Sequence, residues 1–568
     1  TTDQDGRFSI KVLSTDEVLM VTAFDYSLRE VPVRAKDALV IDLYPDVFST
    51  YYTTQELFSG KKRNSTTVPA IKTVNDFTLS QAVSADEFVQ SELGGHIRSI
   101  SRSGFAGMGS SMFIRGYNSL LANAQPLYVV DGVIIDNCYE VESIYEGHFQ
   151  NPLLNIDIKD IESITVMKDG TSIYGSKGSN GVILIKTSRG KDQVTKINLH
   201  IMAGSISTPN TTPVMNADDY RIYLSDMLRS AGYTSKQLRT MPFLEQDPNA
   251  TAYAKYHNQT DWNNEVYEQG RTQSYMVNVN GGDDKALYYF SVGYTKNDGL
   301  VKTTDLSRIN TRFNSDIKLT NEVELGVNIA YTNVEKTLLD DGANFYTSPT
   351  YLSQIKAPFL SPHTFTDYGI ETVTNADADE FGIGNPAGLI EKSLNYTRQH
   401  YFNLSFKPTW SINKDLTLTS QFNYNLFKYE ENLYSPYLGV ATRFLEGYGY
   451  SQNAIRNQIN RNNSLTTDTK LQYTKRFNKV HQVEAIAGWR YTNRSFESDY
   501  VEVHNTGSDN NTLVRNNYDF RQNRGINDET GSISNYGSVD YNYSNRYFLS
   551  AAMAIDGSSR FGNQTEGG

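Results

Sequence analysis

Apolar and polar residues alternate along most of the chain after residue 195, in segments of about ten residues separated by breaks. The clearest segment runs from Ile309 to Leu319, with polar residues such as Arg312 between the apolar ones. A period of two predicts β-strands with one apolar and one polar face, and we expect lipid on the first and water on the second. Eleven strands are predicted, whose apolar stripes begin at Ile197, Tyr275, Tyr288, Ile309, Val323, Phe402, Leu416, Leu471, Val483, Val539 and Tyr547.

Short and long connections alternate between these strands. Short turns are predicted at 281–285, 320–322, 413–415, 478–480 and 544–545. Longer excursions are predicted at 205–270, 298–305, 334–397, 428–464 and 494–531. Outer-membrane barrels have short turns at the periplasmic end and long loops outside, so this order favours a transmembrane antiparallel β-barrel over a large soluble β-protein.

Eleven is an odd number, whereas bacterial single-chain barrels have an even number of strands. Plugged outer-membrane transporters have about 22 strands, twice the number predicted here. We therefore expect this sequence to hold the first half of such a barrel, with the second half missing from it or in a separate chain. One long excursion also predicts a helix over 217–231, because Asn216 is a suitable N-cap before an amphipathic stretch.

Composition agrees with a mostly β protein. Aromatic residues make up 12% of the chain, with 39 Tyr and 26 Phe, and the mean hydropathy is -0.50. No apolar run reaches the roughly 18 residues of a membrane helix, which excludes a helical membrane protein but not a barrel. The net charge of -12 argues against a nucleic-acid partner. The single cysteine, Cys138, forms no intrachain disulfide.

Residues 66–191 lack the alternation of apolar and polar residues that marks the predicted strands. They contain glycine clusters at 94–132 and 170–190. Short apolar runs at Leu127–Val130 and Val182–Ile185 predict strands that are buried on both faces. A compact α/β unit of this size could fill the lumen of a barrel.

Several motifs carry a resemblance to a known family. They read M-F-I-R-G at Met112–Gly116, P-L-Y-V-V-D-G at Pro126–Gly132, and D-I-E-S-I-T-V-M-K-D-G-T-S-I-Y-G-S-K-G-S-N-G at Asp160–Gly181, continued by V-I-L-I-K-T-S-R-G-K. Their order and spacing resemble the plug signature of the SusC/RagA family of TonB-dependent transporters. The run D-G-S-S-R-F-G at Asp556–Gly562 resembles a mid-barrel motif of that family.

The resemblance implies four regions. Residues 1–44 would be the end of a carboxypeptidase-regulatory-like β-sandwich that begins before Thr1, 45–65 a linker with a TonB-box-like stretch, 66–191 an α/β plug, and 192–568 the first half of the barrel. The plug-motif residues are Arg115, Gly116, Asp131, Gly132, Asp169, Gly170, Tyr174, Gly175, Asn180 and Gly181.

The resemblance also implies a function. It implies a transporter in the outer membrane of a Gram-negative bacterium of the Bacteroidetes type, with lipid around the barrel. This transporter would import an oligosaccharide or a peptide together with a SusD-like surface lipoprotein. Energy would come from TonB, which pulls on a box ahead of the plug and opens a path.

The aligned TonB-box-like stretch departs from the family pattern. It consists of Asp46, Val47, Phe48, Ser49, Thr50, Tyr51, Tyr52, Thr53, Thr54 and Gln55. It keeps an apolar, extended character that could add a strand to the sheet edge of TonB, but lacks both glycines and most valines of the family's box. An alternative is therefore a SusC-like barrel reused as a non-transporting subunit of a larger outer-membrane assembly complex.

No enzyme, metal site or cofactor is predicted. The eight histidines are far apart in sequence, and the glycines near Gly104 lack the Lys-Ser/Thr of a phosphate-binding loop. Arg115 and Asp131 each precede a glycine, so they either tie the plug to the barrel wall through buried charges or are exposed at turns. Substrate contacts are expected on aromatic and polar residues of the plug apex, namely Tyr117, Asn118 and Tyr139.

Overall fold

A computed structural model describes most of the chain from residue 82 to residue 561. Its gaps there are 102, 122, 136–142, 146, 149–150, 192, 209, 341–343, 447–448, 479, 516–517, 519 and 544–546. Before residue 82 it describes 6–12, 14, 17–23, 26–33, 38–41, 54–57, 60–63 and 71–74. Among the helices of these segments, none is long and apolar enough to cross a membrane.

Two short hairpins precede the plug. Strands β1 (Val18–Ala23) and β2 (Tyr26–Pro32) pair in one, and β3 (Thr54–Leu57) and β4 (Gly60–Arg63) pair in the other. The assignment of 1–44 to a carboxypeptidase-regulatory-like domain stays a prediction, as do the other predicted domain boundaries.

The plug is built on a five-stranded sheet. Its strands follow the order β5, β10, β11, β8, β9, and β11 runs parallel to β8. The bounds are β5 (Ile71–Val74), α1 (Ala85–Glu92), β6 (Arg98–Ser101), β7 (Ser110–Phe113), β8 (Leu127–Val130), β9 (Val133–Ile135), β10 (Ile161–Met167), α2 (Thr171–Tyr174) and β11 (Val182–Thr187). All of β8 is buried, and so is most of β11, because plug segments cover one face of the sheet and plug and wall residues together cover the other. The predicted buried strands are confirmed.

Eleven antiparallel strands form one wall, each paired with the next wall strand in sequence. The bounds are β12 (Gln193–Ile206), β13 (Gly270–Gly282), β14 (Ala286–Asp298), β15 (Asp305–Lys318), β16 (Val323–Thr337), β19 (Tyr396–Ser411), β20 (Leu416–Ser435), β23 (Ala454–Phe477), β24 (His481–His504), β25 (Arg521–Tyr543) and β26 (Tyr547–Ser558). All eleven predicted strands are present, and the mostly β fold with a partial barrel is confirmed.

The long connections carry their own structure. Their elements are α3 (Ala217–Ser230), α4 (Ser235–Leu238), α5 (Thr251–Tyr256), α6 (Trp262–Val266), α7 (Pro349–Ile355), β17 (His363–Phe365), β18 (Glu371–Asn375), α8 (Pro386–Lys392), β21 (Arg443–Leu445) and β22 (Gly449–Ser451). Helix α3 begins where predicted, because the side-chain oxygen of Asn216 accepts a hydrogen bond from the backbone N–H of Asp219 at 2.9 Å.

Two predicted excursions were wrong in extent. Much of 428–464 and 494–531 is strand, since β23 and β24 are each 24 residues long. Outward positions of β24 are apolar from Val483 to Tyr491 and polar from Asn493 to Asp499. Beyond them, Val501 and Val503 pack into a small apolar cluster at the strand end. We call the zone in which outward side chains are apolar the apolar band. The strands continue beyond this band, where outward side chains do not contact lipid and need not be apolar. The alternation of apolar and polar residues that predicted the strands is therefore lost there.

The inward face of the wall also differs from the expectation that it contacts water. Polar side chains on β15, such as Asn310, Arg312 and Asn314, are buried, because the plug packs directly against them. The apolar residues between them, such as Ile309 and Phe313, are exposed on the outer surface. At this height the inner face of the wall contacts the plug.

A charge on the outer face tests the position of the wall in a membrane. We expect Phe313→Arg to destabilise the barrel by about 2–4 kcal/mol, because an arginine would enter the hydrocarbon region. Unfolding in urea in the presence of lipid vesicles measures this. The matched control is Asn493→Arg, above the apolar band, which should leave stability unchanged; equal losses in both variants would contradict the placement.

Candidate functional site: the plug–wall interface

A tight turn places Asp131 against the wall. Asp131 and Gly132 join β8 to β9, with Val130 paired to Val133, and have φ angles of 49° and 88°. Two positive φ angles in a two-residue hairpin loop define a type I′ turn, for which Asp-Gly is a preferred sequence. The turn directs the plug's polar groups towards β15 and β20 of the wall.

Hydrogen bonds hold this turn on both sides. The Asp131 carboxylate accepts from the backbone N–H and the hydroxyl of Thr187, at 2.9 and 2.6 Å. Its oxygen lies 3.9 Å from the Arg312 guanidinium of the wall. The Gln421 side chain donates to the Asp131 carbonyl at 3.1 Å, and a Cβ on Gly132 would lie only 2.9 Å from the same amide group. A larger residue at Gly132 would push the turn away from the wall.

The strongest buried contact joins Asp157 of the plug to Arg308 of the wall. Their side chains are 1% and 2% exposed, and an Arg308 nitrogen donates to the Asp157 carboxylate at 2.7 Å. Arg308 also donates to the carbonyl of Val83 in the plug at 2.7 Å. Burial raises the pKa of Asp157, but the charges of Arg308 and Lys159 outweigh it and hold the pKa below its usual value. Asp157 is therefore ionised at neutral pH.

Asp160 lies one turn further along the plug. Its carboxylate accepts from the hydroxyls of Tyr289 and Ser291 at 2.9 and 2.6 Å and lies 3.6 Å from Arg312. Burial raises the pKa of Asp160, the Arg312 charge opposes this, and the Asp157 charge adds to it. Asp157 and Asp160 thus meet the two inward arginines of β15.

A third pair lies nearer the short turns. Arg189, just after β11, donates from two nitrogens to Asp316 at 2.8 and 2.6 Å and from a third to Asn328 at 2.9 Å. Beside it, a polar cavity of about 510 Å³ separates the plug sheet from the wall between β15 and β23. The plug is therefore bonded closely along β14–β16 and leaves a gap beneath its sheet.

Comparison with known proteins agrees with this arrangement. Residues 61–182 match the family model of the TonB-dependent Receptor Plug Domain. The chain is 24% identical to the TonB-dependent receptor SusC of Bacteroides thetaiotaomicron, over 100% of this chain and 54% of SusC. It is 23% identical to a TonB-dependent receptor of Formosa agariphila, over 99% of this chain and 50% of that receptor. These similarities support membership of the SusC/RagA family of TonB-dependent transporters.

Solved structures show the same fold. The RagAB peptide importer in its open-open state superposes with a TM-score of 0.70 at 18% identity, over 90% of this chain and 57% of that chain. A second RagAB structure, of the peptide transporter, gives a TM-score of 0.69 at 19% identity, over 87% of this chain and 56% of that chain. The chain spans about half the length of the relatives that it matches.

Other residues of the SusC/RagA plug signature shape turns inside the plug. Arg115 pairs with Asp169 through two hydrogen bonds of 2.5 and 3.0 Å at an exposed surface. The hypothesis that Arg115 ties the plug to the wall is therefore wrong, whereas Asp131 does face Arg312. Asn180 accepts from Asn118 and donates to the carbonyl of Asn123, each at 2.7 Å.

Glycines of the signature stand where side chains do not fit. A Cβ on Gly170 would lie 2.2 Å from Val182, and Gly181 and Gly116 have φ angles of 89° and 91°. Gly175, at φ 63°, follows the buried Tyr174 and lies against Asp556 of β26.

Two groups of predicted site residues stay predictions. Of the TonB-box-like stretch, 46–53 lies outside the described residues, and Thr54 and Gln55 are in β3, paired with Arg63 and Lys62. Tyr139 and Cys138 also lie outside the described residues. Tyr117 is 60% exposed next to Phe113, so its ring is accessible to a ligand. In the part of the chain that the structure describes, no group of three His, Cys, Asp or Glu side chains could hold a metal.

Asp157, Arg189 and Arg308 are interface residues that the sequence analysis did not predict. The available signal was the position of Arg308 and Arg312 on the polar stripe of β15. Their partners are 151 and 152 residues away (308−157 and 312−160), and no local pattern relates them.

Removal of one member of the buried pair tests the interface. Arg308→Met leaves the Asp157 charge buried without its arginine, and we expect a loss of about 3–5 kcal/mol in plug docking. The rate of protease cleavage within the plug of the detergent-solubilised protein measures this. Arg308→Met combined with Asp157→Leu removes both charges and should recover most of the loss; cleavage as fast as in the single variant would contradict the assignment.

Proposed function

We propose that this chain forms the plug and part of the barrel of an outer-membrane SusC-like TonB-dependent transporter that imports an oligosaccharide or a peptide. The observation that carries the proposal is a plug that packs against the inner face of the wall and bonds to it through ion pairs, two of which are buried. Such a lumen is closed to molecules of this size at rest. The relatives are transporters, and we propose no catalytic role.

The closed plug explains the need for coupled energy. Breaking one buried ion pair costs about 3–5 kcal/mol, and the interface contains several, so thermal motion alone rarely displaces the plug. The outer membrane holds no ATP, so a protein that reaches the plug's N-terminal side must supply the work. We propose TonB for this role and Asp46–Gln55 as the segment that it pairs with.

The long loops support a lipoprotein partner. Segments 207–269 and 338–395 fold together around Trp262, whose indole N–H donates to the Ala357 carbonyl at 3.0 Å. Helix α3 packs against this cluster and exposes Ile222, Tyr223 and Met227 on its other side. A rigid platform with exposed apolar residues suits a SusD-like lipoprotein that closes over the barrel. A peptide is favoured among substrates by the likeness to the RagAB peptide importer. An oligosaccharide stays the alternative that the family resemblance implies.

A second candidate is a non-transporting subunit of an outer-membrane assembly complex. The altered TonB-box-like stretch is the observation that favours it, because coupling to TonB depends on that segment. The two candidates share the fold and differ in energy coupling and in partners.

Disruption of the box tests the coupling. A variant with both Val47→Pro and Phe48→Pro removes two backbone N–H donors, so the segment should no longer pair with TonB. A panel of peptides and oligosaccharides, each supplied as the sole carbon source, first identifies the one on which the unchanged strain grows through this protein. We expect the box variant to lose growth on that compound. Two prolines at Leu120 and Leu121, which are exposed and lie outside the box in sequence, serve as the control. Normal growth of the box variant would contradict TonB-driven import.

Identification of partners separates the two candidates. We expect one SusD-like lipoprotein in equal amount when the full-length protein is purified from native membranes in mild detergent. Mass spectrometry of the co-purified proteins measures this. A set of unrelated assembly factors, with no such lipoprotein, would favour the assembly subunit instead.

A further inference from the structure

Two motifs that are far apart in sequence meet at one contact. Asp556 begins the D-G-S-S-R-F-G run on β26, and Ser176 lies in the plug signature, 380 residues earlier. The Asp556 carboxylate accepts hydrogen bonds from the backbone N–H and the hydroxyl of Ser176, at 2.7 and 3.1 Å. Hydrogen bonds to a charged acceptor are stronger than those between neutral groups. We refer to this contact as the Asp556–Ser176 latch.

The plug backbone approaches the wall so closely here that only glycine fits. A Cβ on Gly175 would lie 1.9 Å from an Asp556 carboxylate oxygen, and Gly175 has a φ of 63°. Any other residue would be strained and would separate the carboxylate from Ser176. The glycine of the plug signature and the aspartate of the wall motif therefore depend on each other.

Arg490 of β24 holds the preceding residue of the same turn. Its guanidinium carbon lies 5.3 Å from the ring centre of Tyr174 and 5.2 Å from that of Tyr536. Asp468 forms an ion pair of 2.6 Å with Arg490. Its carboxylate also accepts a hydrogen bond from the Tyr536 hydroxyl at 2.5 Å. The plug's Tyr174 is thus bound by a cation–π contact next to the latch.

The latch is more accessible than the other plug–wall contacts. Solvent reaches the Ser176–Asp556 bonds, whereas Asp157 and Arg308 are almost completely buried. A cavity of about 290 Å³ adjoins it, lined by Tyr174, Ser176, Arg490, Thr492, Ser534 and Asp556.

We propose that Asp556 is a positioning residue that holds the turn Tyr174–Gly178 against β24–β26 and keeps the lumen closed on that side. Release of the Asp556–Ser176 latch opens a path through the adjoining cavity. The role of this path in import rests on the proposed function. The closure of the path by the latch does not depend on that function.

Passive leakage through the full-length protein tests the latch without TonB, nutrient or lipoprotein. In planar bilayers, we expect Asp556→Ala to raise the open fraction roughly tenfold, the change that follows from losing hydrogen bonds to one charged group. Asp556→Asn retains an oxygen acceptor and should restore most of the closure. Ser176→Ala removes only the hydroxyl donor and should leak to an intermediate extent.

Two controls separate a latch from general damage. Glu335→Ala removes a carboxylate that pairs with Arg398 between β16 and β19 at 2.9 Å, far along the wall from the latch, and should not change leakage. Heat-modifiable gel mobility should show a folded barrel for every variant. If Asp556→Ala fails to fold, Ser176→Ala still decides the question. Wild-type leakage in a folded Asp556→Ala or Ser176→Ala protein would overturn the proposal, whereas failed import with normal leakage would count only against the proposed function.

Discussion

The inner face of the wall is polar, and the structure depends on how its charges are satisfied. Arg308 and Arg312 point into the lumen from β15, where burial without partners would cost several kcal/mol each. The plug supplies Asp157 and Asp160 to them, together with backbone carbonyls. Neither part satisfies these groups alone. The wall therefore specifies where the plug sits, and the plug allows the wall to carry inward charges.

The strength of this interface differs from place to place. Along β14–β16 it contains ion pairs, with Tyr289 and Ser291 adding hydrogen bonds to Asp160. Beneath the plug sheet, a polar cavity separates the two parts. At β24–β26, the plug is held by the hydrogen bonds of Ser176 to Asp556 and by the cation–π contact of Arg490 with Tyr174. The contacts between plug and wall therefore differ in kind along the wall.

The wall extends beyond its apolar band and connects it to the outer loops. Strands β23 and β24 continue with mostly polar residues, and apolar residues at their ends, such as Ile455 and Val503, pack together. Asn453 and Thr506 exchange two hydrogen bonds there, and Asp509 accepts from Tyr434 and from the backbone of Tyr437. A rigid rim of this kind could hold a binding surface at a fixed distance above the plug.

The sequence by itself determined the features that depend on neighbouring residues. The alternation of apolar and polar residues predicted every wall strand, because successive side chains of a strand point to opposite faces of the sheet. The Asp131–Gly132 sequence favours the type I′ turn that it forms, because both residues tolerate positive φ angles. Asn216 favours the start of the helix that follows it, because its side chain caps the helix. The plug signature identified the family.

Only the tertiary structure decided which distant groups meet. Asp157 and Arg308, or Ser176 and Asp556, have no sequence relation, since their contact depends on how the plug lies in the lumen. The same reason explains why Arg115 pairs with Asp169 while Asp131 faces the wall, although both precede a glycine. Strand ends above the apolar band were also undetermined, because without lipid on one side the alternation has no physical cause.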